Sequence, residues 1–356
     1  MPGSGKNISR VLLVRNDRIG DLVLTTPAFA ALSACLPGAR IDLLCSSYAE
    51  PVVRGNPYLH EVLTDRGVHD SGDLKELVEL VAERNYDCAV VMVHSLKNAR
   101  LARKARIPLR IGPLVRWYEP LFYNRAIRQR RSLAEKSEAL YNLELLAPLG
   151  VAAAELPPTL VIPTTEGTAR AKEIVEKKFP AAGKDPLVVV HPGMGGSALN
   201  WPEDLWEELV RLLAGEGRFR VLVTGSEEEI RLVDRISGGQ PQVSRPAQVQ
   251  TALSLEDFIG LLGLCSAVVA PSTGPLHLAA ALGVPVVAGI YSPVRAQHPR
   301  RWGPLGRGTI RTFIPDVQCP GTLKCSSEKC PLFPCMELIE PVEVLRFILS
   351  ALKLEG

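Results

Sequence analysis

The sequence has few aromatic residues and no long hydrophobic segment. Phenylalanine, tryptophan and tyrosine together make up 5% of the 356 residues. No apolar run reaches the roughly 18 to 20 residues that a membrane-spanning helix requires. The short polar stretch of residues 1–7 lacks the apolar core of a signal peptide. We therefore expect a cytoplasmic protein.

Several common binding motifs are also absent. The chain contains neither the phosphate-binding GxxxxGK[ST] loop nor the GxGxxG fingerprint of dinucleotide-binding domains. It has no C2H2 spacing and no aromatic strand motif of the kind used by RNA-binding domains, which argues against a nucleic-acid partner. A nucleotide could still bind here, but through a different arrangement of glycine and hydroxyl residues.

The composition and the order of elements favour an α/β protein with two domains. Hydrophobic residues make up 46% of the chain and charged residues 22%, which is enough apolar material for two cores. Strand-like runs alternate with helical segments, as in parallel sheets flanked by helices. Residues 151–163 contain three prolines and no helical period, so we expect a linker between Rossmann-like domains at 1–160 and 161–356, whose strand ends face a central cleft. The strand-like runs are Arg10–Arg15, Ile41–Cys45, Cys88–Val93, Leu187–His191, Arg220–Thr224, Ala267–Ala270 and Val284–Ala288.

The segment Ser272–Gly283 predicts a phosphate site. It follows a buried strand and begins a helix, whose first backbone N–H groups have no partner within the helix and attract anions. Gly274 would allow a ligand to approach the backbone, Ser272 or Thr273 could cap the helix, and His277 lies one turn further on. An ordinary capped helix with a satisfied histidine is the alternative.

A carboxylate follows the first strand. Asp21 lies in the predicted loop between that strand and the next helix, at the sheet edge where α/β proteins bind ligands. Such a carboxylate is well placed for proton transfer. It could instead cap the helix or belong to a salt-bridged surface with Arg15 and Arg18.

Two further segments of the second half carry candidate ligand contacts. Residues 192–202 contain three glycines and a serine, whose backbone N–H groups could surround a phosphate. Residues 226–229 place three glutamates at the start of a helix, where they either stabilise the helix dipole or contact a ribose.

Positive charge is concentrated in one part of the first half. The net charge is only +3, yet Lys97 to Lys136 contains twelve lysines or arginines and only two acidic residues. Four aromatic residues lie in the same stretch, which a purely solvated surface would not favour. The charge predicts an anionic partner, such as a nucleic acid, an acidic lipid or a phosphorylated sugar.

The motifs together resemble glycosyltransferase family 9, the ADP-heptose:lipopolysaccharide heptosyltransferases. The resemblance extends roughly from Arg10 to Leu352. It implies a GT-B fold, with the acceptor bound mainly by the N-terminal domain and the sugar nucleotide by the C-terminal one. The motifs that carry it are Arg18-Ile19-Gly20-Asp21, Thr25-Thr26-Pro27-Ala28, His191-Pro192-Gly193, Asn200-Trp201-Pro202, Leu253-Ser254-Leu255 and Ser272–Gly283.

The resemblance also implies a reaction and its residues. The reaction is an inverting transfer of heptose from ADP-heptose to an anionic lipid A–Kdo acceptor, without a metal or other cofactor, by a monomer peripheral at the inner face of the inner membrane. Asp21 would be the general base. The nucleotide-sugar residues would be Gly193, Met194, Ser197, Glu229, Leu253, Ser272, Thr273, Gly274 and His277, and the basic acceptor-binding residues Arg18, Lys97, Arg100 and Arg103.

Two positions depart from the family pattern. Leu199 stands where many heptosyltransferases have a phosphate-binding lysine, and Ser272 stands where the best-known members have aspartate. The donor is therefore left open. Another GT-B nucleotide-sugar transferase, an epimerase and a non-catalytic anion-binding relative are the alternatives.

The cysteines fall into two groups. Four lie in apolar segments and are expected to be small buried side chains. The other four crowd into seventeen residues of a proline-rich loop, with spacings looser than in usual zinc modules. A metal, an iron–sulfur cluster and no metal at all are the alternatives for this loop, whose cysteines are Cys319, Cys325, Cys330 and Cys335.

Overall fold

The chain forms two compact α/β units, which we describe separately. The structure is a computed structural model that describes residues 8–66, 74–152, 156–180, 185–196, 198–238 and 247–354. One unit comprises Met1–Arg131 and Glu138–Ile162, and the other Ser132–Ser137 and Pro163–Gly356. In these described ranges, no helix combines the length and apolar character needed to cross a membrane.

The first unit is built on a parallel sheet. Its strands are β1 (Arg10–Val14), β2 (Arg40–Ser46), β3 (Glu61–Asp65), β4 (Cys88–Val91), β5 (Leu109–Pro113) and β6 (Arg125–Ile127). Its helices are α1 (Ile19–Val23), α2 (Thr26–Cys35), α3 (Leu74–Ala82), α4 (Leu96–Lys104) and α5 (Glu138–Glu144). The strand order is β3-β2-β1-β4-β5-β6. After the exposed Arg10, strand β1 is continuously apolar, as is β4, because helices cover both faces of such a sheet.

The second unit repeats this plan. Its strands are β7 (Leu187–Val190), β8 (Arg220–Gly225), β9 (Gln248–Thr251), β10 (Ala267–Pro271), β11 (Val286–Ile290) and β12 (Thr309–Phe313). Its helices are α6 (Thr165–Lys178), α7 (Glu203–Gly215), α8 (Ile230–Gly238), α9 (Leu255–Leu262), α10 (Gly274–Ala281), α11 (Pro299–Trp302) and α12 (Pro341–Ala351). The order β12-β11-β10-β7-β8-β9 is again parallel throughout.

Each sheet has one point where the strand order reverses. In the first unit this point lies between β1 and β4, and in the second between β7 and β10. Connections leave these neighbouring strands toward opposite faces of the sheet, which opens a crevice beyond their carboxyl ends where α/β proteins bind ligands. Residues that directly follow these four strands are therefore the first candidates for a site.

The seven predicted strands are confirmed, with differences at their ends. The run expected to begin at Val284 forms a strand only from Val286. The reason is that the Val284 N–H still bonds to Ala279 O of the preceding helix, at 3.1 Å, and Pro285 has no N–H to give to the sheet. The chain after β1 also forms two helices instead of one. The Thr25 and Thr26 hydroxyls bond to backbone carbonyls at this break, each at 2.8 Å.

Candidate active site

Asp21 lies beyond the carboxyl end of β1, but in a helix rather than in the expected loop. It occupies the first turn of the short helix α1, which has no side-chain hydrogen bond at its N-cap, Arg18. One oxygen of the Asp21 carboxylate accepts a short hydrogen bond from Nη2 of Arg15. The Asp21 side chain keeps 15% of its surface exposed, so the carboxylate is held by the protein and still reachable from solvent.

Arg15 is buried and bonds to several groups at once, so it is not part of a surface ion pair. Its Nε donates to Asp17 Oδ1 at 2.8 Å, and its Nη1 donates to Met92 O, just beyond β4, at 2.9 Å. Burial by itself disfavours the charged guanidinium, but the carboxylates of Asp17, Asp21 and Glu138 outweigh it and raise the pKa of Arg15. The arginine therefore stays charged and ties both strands of the crevice to Asp21.

The helix α5 supplies part of this network, which the sequence analysis did not find. The fully buried Glu138 accepts from Arg15 Nη1 at 3.3 Å and, through a shorter bond, from Arg131. Asn142, one turn later, accepts from Arg15 Nη1 at 3.2 Å and donates to Thr25 Oγ1 at 3.0 Å. The sequence did contain a signal for these partners. Glu138 and Asn142 are polar residues four apart, on a face of α5 that is otherwise apolar.

The four basic residues predicted to bind an acceptor do not share one environment. Arg18 is exposed beside Asp21, and Arg100 is exposed on α4. Lys97, at the start of α4, makes an ion pair with Asp65 of 3.0 Å and is largely buried. Arg103 lies about 9 Å further along that helix, where its Nη1 donates to Leu121 O at 2.6 Å. Arg103 thus holds a neighbouring loop in place.

In the second unit, His191 follows β7 at the reversal of strand order. Its Nδ1 lies 3.0 Å from the Thr224 hydroxyl at the end of β8, and its ring packs on Phe258 with centroids 5.6 Å apart. Burial lowers the pKa of His191 to about 4, although the Glu229 carboxylate acts in the opposite direction. The imidazole is therefore neutral at physiological pH.

Glu229 lies directly against Gly193. Its carboxylate accepts the Ser226 N–H at 2.9 Å in a capping box, so the helix-start role expected for these glutamates is present. A Cβ added at Gly193 would lie 2.1 Å from Glu229 Oε1, so only glycine permits this approach. Met194 is partly buried in the same loop, whereas Ser197 lies outside the described residues.

The start of α10 follows β10, the neighbour of β7. Its N-cap is Thr273, whose hydroxyl donates to Pro271 O at 3.2 Å instead of accepting from the helix. By contrast, the Ser254 side chain accepts from Asp257 N at the start of α9. The expected side-chain cap on α10 is therefore not formed, and its first N–H groups point toward the crevice with the dipole of the helix behind them.

His277 lies one turn into α10 and is buried. Its Nδ1 makes no hydrogen bond within the described residues, so the alternative of a satisfied histidine does not hold. Burial lowers the pKa of His277 to about 4, which makes it neutral at physiological pH.

Leu253, by comparison, follows β9, two strands away from β7. The tertiary structure thus brings four of the predicted residues to the carboxyl edge of the second sheet, with Leu253 at the periphery. The four are Gly193, Glu229, Thr273 and His277.

The four clustered cysteines line one pocket together with Leu199 and Val294. Burial raises the pKa of the Cys335 thiol, and the other three thiols add to this effect. Among the described residues, no group of three or more histidine, cysteine or acidic side chains is arranged to hold a metal ion. Leu199, at the position where the family pattern has a lysine, thus lines the same pocket as the four thiols.

Comparison with known proteins is consistent across sequence and structure. A model of glycosyltransferase family 9 (heptosyltransferase) matches residues 75–330. A protein of Haemophilus influenzae named only as a glycosyltransferase is 29% identical over 84% of this chain and 86% of its own length. Lipopolysaccharide heptosyltransferase 2 of Salmonella typhimurium is 27% identical over 80% of this chain and 83% of its own.

A solved structure shares the fold. The Escherichia coli ADP-heptose lipopolysaccharide heptosyltransferase II superposes with a TM-score of 0.76 at 20% identity, covering 97% of this chain and 99% of the other. This likeness confirms the GT-B fold class expected from the sequence.

Proposed function

The chain belongs to glycosyltransferase family 9, and from this premise we propose that it moves heptose from ADP-heptose to a lipopolysaccharide inner-core acceptor with inversion at the anomeric carbon. The Salmonella and Escherichia coli relatives, named as lipopolysaccharide heptosyltransferases, support this donor and acceptor class. The observation that carries the proposal is the partly exposed Asp21 carboxylate, held by a buried arginine at the carboxyl end of β1.

In the proposed reaction, Asp21 is the general base. It accepts the proton of an acceptor hydroxyl while that oxygen forms a bond to the anomeric carbon of heptose. The bond from this carbon to the ADP oxygen breaks at the same time, and ADP leaves with the electron pair. Arg15 prevents the carboxylate from turning away, since its other donors are engaged by Asp17, Met92 O and the α5 residues.

The proposed donor site lies at the switch point of the second unit. The uncapped N–H groups of α10 would bind the diphosphate, and the free Nδ1 of His277 would face it. These groups would stabilise the negative charge that develops on ADP as it leaves. Glu229 would contact the ribose beside Gly193, and Leu253 would border the adenine.

The proposed acceptor carries phosphates and Kdo carboxylates on a lipid. Arg18, exposed next to Asp21, is the cation nearest to the proposed base in sequence, and Arg100 adds a second exposed charge on α4. Attraction of an anionic head group to this side of the first unit would bring the enzyme to the membrane surface where its acceptor lies.

A donor screen tests this function directly. The purified protein is given a lipid A–Kdo acceptor and either ADP-heptose or a series of UDP-sugars, and nucleotide release is measured. We expect ADP release that requires both substrates, and no UDP release. Release of UDP alone would favour another nucleotide-sugar transferase. Nucleotide binding without any turnover would contradict catalysis.

The contact between Gly193 and Glu229 tests the donor site. We expect Gly193→Ala to weaken ADP binding about ten-fold or more, because the added methyl group displaces the carboxylate that would bond to the ribose. Titration calorimetry with ADP measures the effect. Gly215→Ala is the matched control, since Gly215 lies at the end of α7, outside the glycine loop, and a Cβ there meets nothing within 4 Å. Equal ADP affinity in the two variants would show that Glu229 does not contact the nucleotide.

A further inference from the structure

The connection between β5 and β6 exposes large apolar side chains. In this loop, residues 114–124, Trp117 is 86% exposed, and Val115 and Leu121 are each more than half exposed. Tyr118 stands edge-on to Trp117 with ring centroids 5.9 Å apart. Apolar residues of this size concentrated in one loop usually mark an interaction surface.

The loop is held in place from the inside. Glu119 is buried, and its carboxylate accepts the N–H groups of Val115 and of Arg116, the latter at 2.7 Å. His94, three residues after β4, lies 2.6 Å from the other Glu119 oxygen. Arg103 holds the far side of the loop through Leu121 O. The indole of Trp117 is therefore presented by an anchored backbone.

The charge around the loop is positive. Glu119 is the one acidic residue among residues 100–134, which contain ten lysines or arginines, and its carboxylate is directed inward. A hydrogen bond of 2.7 Å from Leu114 N to Ile127 O places the base of the loop beside the end of β6. The exposed arginines of the loop and of this neighbouring segment are Arg116, Arg125, Arg128 and Arg130.

We infer that the β5–β6 loop docks the enzyme on an anionic lipid bilayer. Tryptophan and tyrosine prefer the interfacial layer of a membrane, and arginines pair with lipid phosphates. A nucleic acid would satisfy the arginines but would leave Val115 and Leu121 without an apolar partner. The loop begins at the carboxyl end of β5 and ends at the start of β6, which runs parallel to β5, so its first residues lie at the same edge of the first sheet as Asp21. This inference rests on the proposed function only in that a lipid-anchored acceptor would then be delivered to that edge.

Vesicle binding tests the inference. The full-length protein is sedimented with vesicles of phosphatidylglycerol and phosphatidylethanolamine, or of phosphatidylcholine alone. We expect binding to the anionic vesicles and little to the neutral ones. Trp117→Ala and Leu121→Ala should each lower the partition coefficient about ten-fold. Arg116→Gln and Arg128→Gln should each lower it about five-fold, with a smaller effect at high salt.

Leu338→Ala is the matched control, because Leu338 in the second unit is 62% exposed and should leave the partition coefficient unchanged. ADP release with a water-soluble, deacylated acceptor, measured without vesicles, should be the same in all variants. A partition coefficient that does not depend on lipid charge, or that is unchanged by Trp117→Ala, would overturn the inference. So would a dimer in solution that Trp117→Ala dissociates, since a second copy would then cover the loop. Anionic-vesicle binding with no ADP release from any donor would instead refute only the proposed function.

Discussion

Replacing Asp21 with asparagine is expected to lower the turnover number by about 10²- to 10⁴-fold, the usual effect of removing a general base. Asparagine has nearly the same shape and can still accept a hydrogen bond from Arg15, so the fold should be retained. ADP affinity should also be retained, because the proposed donor residues lie in the second unit. Steady-state kinetics of ADP release, together with calorimetry for ADP, measure both quantities.

Asp17→Asn is the matched control for this change. Asp17 has the same arginine partner as Asp21, and the two carboxylate side chains are similarly accessible, at 16% and 15% exposed. We expect Asp17→Asn to reduce turnover only a few-fold, since it removes a charge next to Arg15 without removing the proton acceptor. If both variants lose the same activity, the ion-pair network, and not proton transfer by Asp21, would explain the loss.

Replacing Arg15 with methionine is expected to destabilise the protein by about 3–5 kcal/mol, the range found when one partner of a buried ion pair is removed. Methionine fills a similar volume, so the cost comes from the charges and not from a cavity. Asp17 and Asp21 would lose their shared cation, whereas Glu138 would keep Arg131. Scanning calorimetry measures the loss, and turnover below the unfolding temperature should fall as well because the Asp21 carboxylate is no longer oriented.

Arg15→Lys separates charge from geometry. Lysine keeps the positive charge but cannot bond to Asp17, Asp21 and Glu138 at once, as the guanidinium does. We expect a smaller loss of stability than with methionine and a clear loss of turnover. A methionine variant as stable as the parent protein would show that the carboxylates take up protons or solvent without cost, and Arg15 would then have no structural role.

The fold was predictable because its signals are local. Continuous apolar runs in β1, β4, β7 and β10 indicate strands covered on both faces, and the helices between them require parallel pairing. The misjudged ends have equally local causes, such as the hydroxyls of Thr25 and Thr26, which bond to backbone carbonyls of α1 where that helix ends. The motifs around Asp21 and α10 could be assigned to strand ends for the same reason.

The sequence by itself determined the α/β class, the family resemblance, and which glycine, hydroxyl and carboxylate residues follow the strands. Only the tertiary structure decided what surrounds them. Arg15 bonds to Glu138, 123 residues later in the chain, and Glu119 turns inward to hold a loop whose Arg116 faces solvent. A charged residue carries the same sequence signal whether it is buried or solvated, because its surroundings depend on how distant elements pack. The partners of Asp21, and the surface around Trp117, could therefore be recognised only once the elements were assembled.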